Sequence, residues 1–122
     1  MKFTLVALVW VLILSACGKK EPITRIAFGS CAKQTLEQPI WVAVGKFNPD
    51  VWIWMGDNIY GDTEDMEVMA KKYAIQKNKP GYAKLRELAE VIGTWDDHDY
   101  GINNGGKEFS AKAGSQKALL DF

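Results

Sequence analysis

Hydrophobic residues follow two rhythms along this chain, short unbroken runs and recurrences every three or four positions, and their alternation predicts an α/β order. Thr24 to Phe28 is a β-prone run that breaks at Gly29-Ser30-Cys31, as a buried strand entering a loop does. Ile40, Trp41, Val44 and Phe47 recur at helical spacing behind Pro39, which predicts an amphipathic helix over Gln38 to Phe47. Asn48-Pro49-Asp50 is a turn signal that stops it. Val51 to Met55 is continuously apolar, with two tryptophans, the pattern of a strand covered on both faces, and it ends at Gly56-Asp57.

The helical rhythm returns over Met66 to Gln76. Pro80 opens another helix in which Tyr82, Leu85 and Leu88 share a face, while Lys84, Arg86, Glu87 and Glu90 take the wet one. Val91 to Trp95 reads as a third strand ending in acids, followed by a Gly/Asn-rich loop from Tyr100 to Gly106 and a final helix from about Phe109. Strand, helix, strand, helices, strand is the order of an α/β domain with neighbouring parallel strands and helical crossovers. Three strands are few for such a sheet, and the expectation is of a chain cut short. No internal repeat or low-complexity segment interrupts the pattern.

The N-terminus obeys another rule. Lys2 precedes a run from Phe3 to Leu14 that is apolar except for Thr4, shorter than the roughly 20 residues a spanning helix needs, and it closes on Leu14-Ser15-Ala16-Cys17. This is a signal peptide pattern over residues 1–16, and its ending is similar to the lipobox of bacterial lipoproteins, in which the cysteine is acylated. Cys17 is therefore the expected lipid anchor, residues 17–22 a tether, and residues 23–122 the folded part, exported and held at a membrane facing the periplasm or cell exterior. Buried acyl methylenes contribute about 0.8 kcal/mol each, so more than one chain gives stable attachment. An ordinary secretory signal and an uncleaved anchor are the alternatives.

Composition narrows the partners. The chain has 122 residues, 48% hydrophobic and 25% charged, a globular balance of one domain at most. Its 15 basic and 15 acidic residues become 14 and 15 once Lys2 leaves with the signal. A nearly neutral chain presents no basic field for nucleic acid, and no oligomeric state is legible. If Cys17 is acylated, Cys31 has no disulfide partner in an oxidising compartment, and either burial or metal ligation would protect it. A Cys17 to Cys31 disulfide would require the lipobox reading to fail.

Ligands of open α/β sheets bind beyond the carboxyl ends of the strands, and here each end carries metal-competent groups. The first brings Cys31; the second Asp57, Asn58 and Tyr60; the third Asp96, Asp97, His98 and Asp99. Carboxylates meeting in one cleft raise one another's pKa unless a cation neutralises them. His98, the sole histidine, sits within the acids as an ion-pair partner, ligand or proton donor. Individually, each of these residues has an ordinary reading: Asp and Asn as turn formers and caps, Tyr60 as a core aromatic, Cys31 as a buried hydrophobe.

Together the runs Phe28-Gly29-Ser30-Cys31, Gly56-Asp57-Asn58-Ile59-Tyr60-Gly61-Asp62 and Thr94-Trp95-Asp96-Asp97-His98-Asp99-Tyr100-Gly101 resemble the successive signatures of the alkaline phosphatase D-like family of metallophosphoesterases. The resemblance covers about residues 23 to 122. It implies the N-terminal part of an αββα sandwich and metal-dependent hydrolysis of phosphate mono- or diesters. It makes Asp57 a ligand bridging two metals, and Cys31 and Tyr60 ligands of iron. Anionic thiolate, phenolate and carboxylate suit ferric iron, and a second, oxygen-lined site suits calcium. Aligned on His98, Asp97 takes the place of the metal-binding asparagine of the wider group, although spacing leaves Asp96 open as the ligand instead. His98 resembles the residue that contacts the phosphoryl oxygen or assists the leaving group, while Asn58, Asp96 and Asp99 are candidates to contact phosphate or support the ligands. The chain departs from the family in lacking the late histidine ligands many members use, a twin-arginine signal, and a β-rich module ahead of the catalytic domain. A truncated, non-catalytic metal- or phosphate-binding lipoprotein is thus the rival reading, and a purely structural lipoprotein a third.

Overall fold

The computed structural model describes residues 22–122; the signal segment, Cys17 and most of the tether lie outside the described residues. Three strands, β1 (Ile26–Gly29), β2 (Val51–Met55) and β3 (Glu90–Thr94), form an all-parallel sheet with β2 in the centre. The crossovers are α1 (Ile40–Phe47) between β1 and β2, and α2 (Met66–Lys77) with α3 (Pro80–Leu88) between β2 and β3. A one-turn helix, α4 (Asp97–Tyr100), and α5 (Lys112–Leu120) complete the described chain. This is the mixed α/β architecture that the hydrophobic pattern predicts.

Local chemistry sets the element ends. Asn48 closes α1 in the left-handed conformation at φ 51°, and its N–H bonds the carbonyl of Val44. Asp65 caps α2 by accepting from the amides of Glu67 and Val68, and Pro80 occupies the first turn of α3. β1 starts later than Thr24 because the amides of Thr24 and Arg25 are spent on the Asp50 carboxylate, both at 2.8 Å. Those bonds hold the Asp50 carboxyl near pKa 2 and tie the entry of β1 to that of β2. The acids that follow β3 coil into α4, since Asp96 and Asp99 form a reciprocal capping box, and the predicted Gly/Asn-rich loop follows it up to Gly106.

Packing is one-sided. Trp52 and Trp54 leave β2 on the same face and meet Trp41 and Val44 of α1 and Tyr82 and Leu85 of α3 in a buried cluster. Trp41 crosses both strand indoles edge-on, with centroids 5.0 and 5.7 Å apart, and the Trp54 indole N–H donates to the Tyr82 hydroxyl at 2.9 Å. A second cluster joins Ile59, just beyond β2, to Met69 and Tyr73 of α2, and Phe122 packs against both clusters.

The expectation of cover on both faces of β2 holds only in part among the described residues: opposite the tryptophans Val51 is buried, but Ile53 is half-buried and Met55 exposed. Register puts Ile26 and Phe28 of β1, Ile53 and Met55 of β2, and Ile92 of β3 on the opposite face. Phe28 is 66% exposed and Met55 54%. The helical faces are also narrower than their spacing predicts: Ile40, Phe47 and Leu88 are exposed, and the buried core that α1 and α3 share with the sheet is made by Trp41, Val44, Tyr82 and Leu85. No helix among the described residues is long and apolar enough to cross a membrane.

The two faces of the sheet should respond differently to substitution. Trp54→Ala removes a buried indole and its hydrogen bond and is expected to lower unfolding free energy by about 3–5 kcal/mol. Phe28→Ser on the open face is expected to stay within about 0.5 kcal/mol. Urea unfolding followed by circular dichroism separates the two, and equal losses would contradict the one-sided packing.

Candidate metal centre

Parallel pairing brings all three strand carboxyl ends to one edge, and backbone hydrogen bonds then stitch the three following loops together. The amides of Cys31 and Ala32 donate to the carbonyls of Gly56 and Asp57, at 3.4 and 2.9 Å, and the Gly61 amide donates to the His98 carbonyl at 3.1 Å. Two close approaches demand glycine. A Cβ on Gly56 would lie 2.6 Å from that of Asp96, and Gly56 itself has φ +95°; a Cβ on Gly61 would lie 2.6 Å from the His98 carbonyl oxygen. Cys31 in the loop after β1, and Asp57 and Asp62 in the loop after β2, take positive φ, at 58°, 48° and 44°, so these two loops turn sharply where those side chains leave the chain.

Ligand-competent atoms of Asp57, Asp97 and His98 all lie within 4.8 Å of one another. The Cys31 thiol donates to Asp57 Oδ2 across 3.6 Å. Asp57 is thus common to both groupings, with Cys31 on one side and Asp97 and His98 on the other. Its second oxygen, Oδ1, is buried without any hydrogen-bond partner, an arrangement that costs free energy unless a cation or another donor meets it. Desolvation raises the Asp57 pKa, opposed by the Cys31 thiol and His98 and reinforced by Asp97 and Asp96. Asp97 moves the other way, chiefly because the Asn104 amide donates to it, with the His98 amide and imidazole adding to the effect.

Tyr60 lies against His98 with centroids 4.2 Å apart and the rings tilted by 39°. Desolvation first, then Cys31 and Asp57, push its phenol pKa upward in the absence of a cation. Cys31 is exposed, so burial is not what protects this thiol. Between the two aspartates left open by spacing, Asp97 joins the cluster, whereas Asp96 turns its carboxylate back on the Asp97 amide as a cap.

Neither Asn58 nor Asp99 is placed to touch a substrate, because both are fully buried. Asn58 donates its side-chain amide to the Thr94 carbonyl at 2.8 Å and leaves Oδ1 unpartnered. Asp99 accepts the amides of Asn58, Ile59 and Asp96 and the hydroxyl of Tyr73. They support the loops that carry Asp57 and Asp97 from behind.

Three supporting residues lie outside the site predicted from the sequence. Asp62 Oδ1 lies 2.6 Å from His98 Nδ1, which directs Nε2 away from that contact. Buried Gln34 brackets Tyr60 from both sides of its peptide, donating to its carbonyl at 3.2 Å and accepting from its amide at 2.9 Å. Lys72 donates to the carbonyls of Tyr60 and Gly61, at 3.2 and 2.5 Å. Only the second Gly-Asp pair of the Gly56–Asp62 run hinted at Asp62. The other two come from α2 and from the loop after β1, at separations that periodicity does not reach.

His98 reports directly on this geometry. Desolvation lowers its pKa, but the Asp62 hydrogen bond and charge, with Asp57 and Asp97, outweigh that and raise it above 6.5 overall. A folded pKa above the unfolded one means that this contribution to stability is complete below pH 6.5 and is lost as pH rises through the folded value. In the metal-free protein the single histidine gives one imidazole signal by NMR, expected to titrate above 6.5 and to fall on Asp62→Asn. An unchanged midpoint in that variant would contradict the pairing.

Comparison of the chain with protein-family models, curated proteins and solved structures gave no match.

Proposed function

We propose that this edge of the sheet is a metal-centred site for hydrolysis of phosphate esters, of the alkaline phosphatase D-like kind, in a protein exported and lipid-anchored through Cys17. The observation that carries the reading is the buried, unpartnered Oδ1 of Asp57, a carboxylate whose other oxygen accepts from the Cys31 thiol and which clusters with Asp97 and His98. Such a donor set fits a cation. Cys31, Asp57 and Tyr60 would hold a ferric ion, and Asp57 with Asp97 an oxygen-preferring ion such as calcium. Cations bound there would supply an activated water and charge stabilisation on phosphoryl oxygens.

The chain's own groups supply the rest. His98, turned by Asp62 and raised in pKa, can carry a proton to a departing oxygen. Lys33, 5.6 Å above the Tyr60 ring, adds a positive charge at the rim for an anionic substrate. The finer fold reading also belongs here: a parallel sheet with helices on one face and exposed apolar side chains on the other suits one half of an αββα sandwich.

The test is metal analysis of the purified protein, together with hydrolysis of generic aryl phosphate mono- and diesters with and without chelator. Asp57→Asn is expected to lower metal content and hydrolysis together, the latter at least about a hundredfold. Full activity in that variant sinks the assignment. Stoichiometric metal without turnover would favour the non-catalytic binding protein.

A further inference from the structure

We propose that Asp99, itself no ligand, is the positioning residue that sets the distance between the two ligand-bearing turns of the site; the inference rests on the metal-centred reading above. One carboxylate spans three elements. Oδ2 accepts the Asn58 amide at 3.1 Å and the Asp96 amide at 3.1 Å, while Oδ1 accepts the Ile59 amide at 3.3 Å and the Tyr73 hydroxyl at 3.0 Å.

Asn58 directly follows Asp57, and Asp96 directly precedes Asp97. The same oxygen, Oδ2, therefore holds the backbone amide of the residue adjoining each of the two aspartates that approach one another. Tyr73 anchors the other oxygen to α2, so the pair of turns is referenced to the body of the fold and not only to each other. Asp99 has no solvent exposure, and with both oxygens already engaged it has no lone-pair direction open toward the Asp57, Asp97 and His98 cluster.

Asparagine at this position keeps the shape but turns one acceptor into an amide donor facing backbone N–H groups. One of the paired turns must then move. Bonds between these turns do not depend on a cation, so the spacing is set before one arrives, and loss of such a supporting partner typically costs 10–100-fold in metal affinity.

The test titrates the full-length protein with Co2+ alone, following visible absorption, which reports ligand geometry. The expected result is that wild type gives a defined spectrum, that Asp99→Asn weakens Co2+ binding about 10–100-fold with an altered spectrum, and that Tyr73→Phe, which removes a single donor, weakens it about fivefold. Urea unfolding of each variant runs in parallel. Wild-type affinity and spectrum in folded Asp99→Asn would overturn the proposal, leaving the metal-centred reading intact. Should Asp99→Asn not fold, unchanged Co2+ binding by Tyr73→Phe would overturn it in the same way. A wild-type protein that takes up no Co2+ would overturn the metal-centred reading and this proposal together.

Discussion

The fold depends on burial of two indoles from one strand. Trp52 and Trp54 alternate with Ile53 along β2, so both enter the same layer and are closed over by Trp41 from α1 and Tyr82 from α3. Large aromatic surfaces removed from water dominate the energetics of so small a core. Because these rings come from the central strand and from both crossovers, their packing fixes β2 between β1 and β3 in parallel register. The carboxyl ends of all three strands consequently share an edge, and the positions of Cys31, Asp57 and Asp97 follow from that alignment.

At that edge packing gives way to electrostatics. Several acids converge beyond the strand ends, and burial and the charges of Asp97 and Asp96 push Asp57 toward its neutral form. The chain answers with supports rather than separation: a histidine beside the acids, amide donors on Asp97 and Asp99, and glycines that let the loops approach. The Asp99 carboxyl, raised to about 6 by desolvation despite its four donors, shows how much of this arrangement works against solvation. Groups held together against their own repulsion in this way are the prearrangement on which the proposed ion binding rests.

Much of the fold was legible in the residues because it is local. Runs and helical spacing gave every principal strand and helix to within a few residues, and Asn48-Pro49-Asp50 and Pro80 marked boundaries through their backbone preferences. What failed was the assignment of cover. Continuous hydrophobicity in β2 predicts two buried faces, yet only the tryptophan face has helices on it, since apolar character measures the benefit of burial and not the presence of a partner. Ile40, Phe47 and Leu88 were misplaced for the same reason.

The candidate site divides along a similar line. Sequence alone placed Cys31, Asp57, Tyr60, Asp97 and His98 at strand ends, because a strand followed by glycine and acids is a local signal. It could not say which aspartate joins the cluster, that Asp62 orients His98, or that Gln34, Lys72 and Tyr73 brace loops remote from them in the chain. Those facts belong to tertiary structure. Parallel pairing brings together residues separated by a whole crossover, and a hydrogen bond such as Tyr73 to Asp99 exists only once both ends are fixed in space.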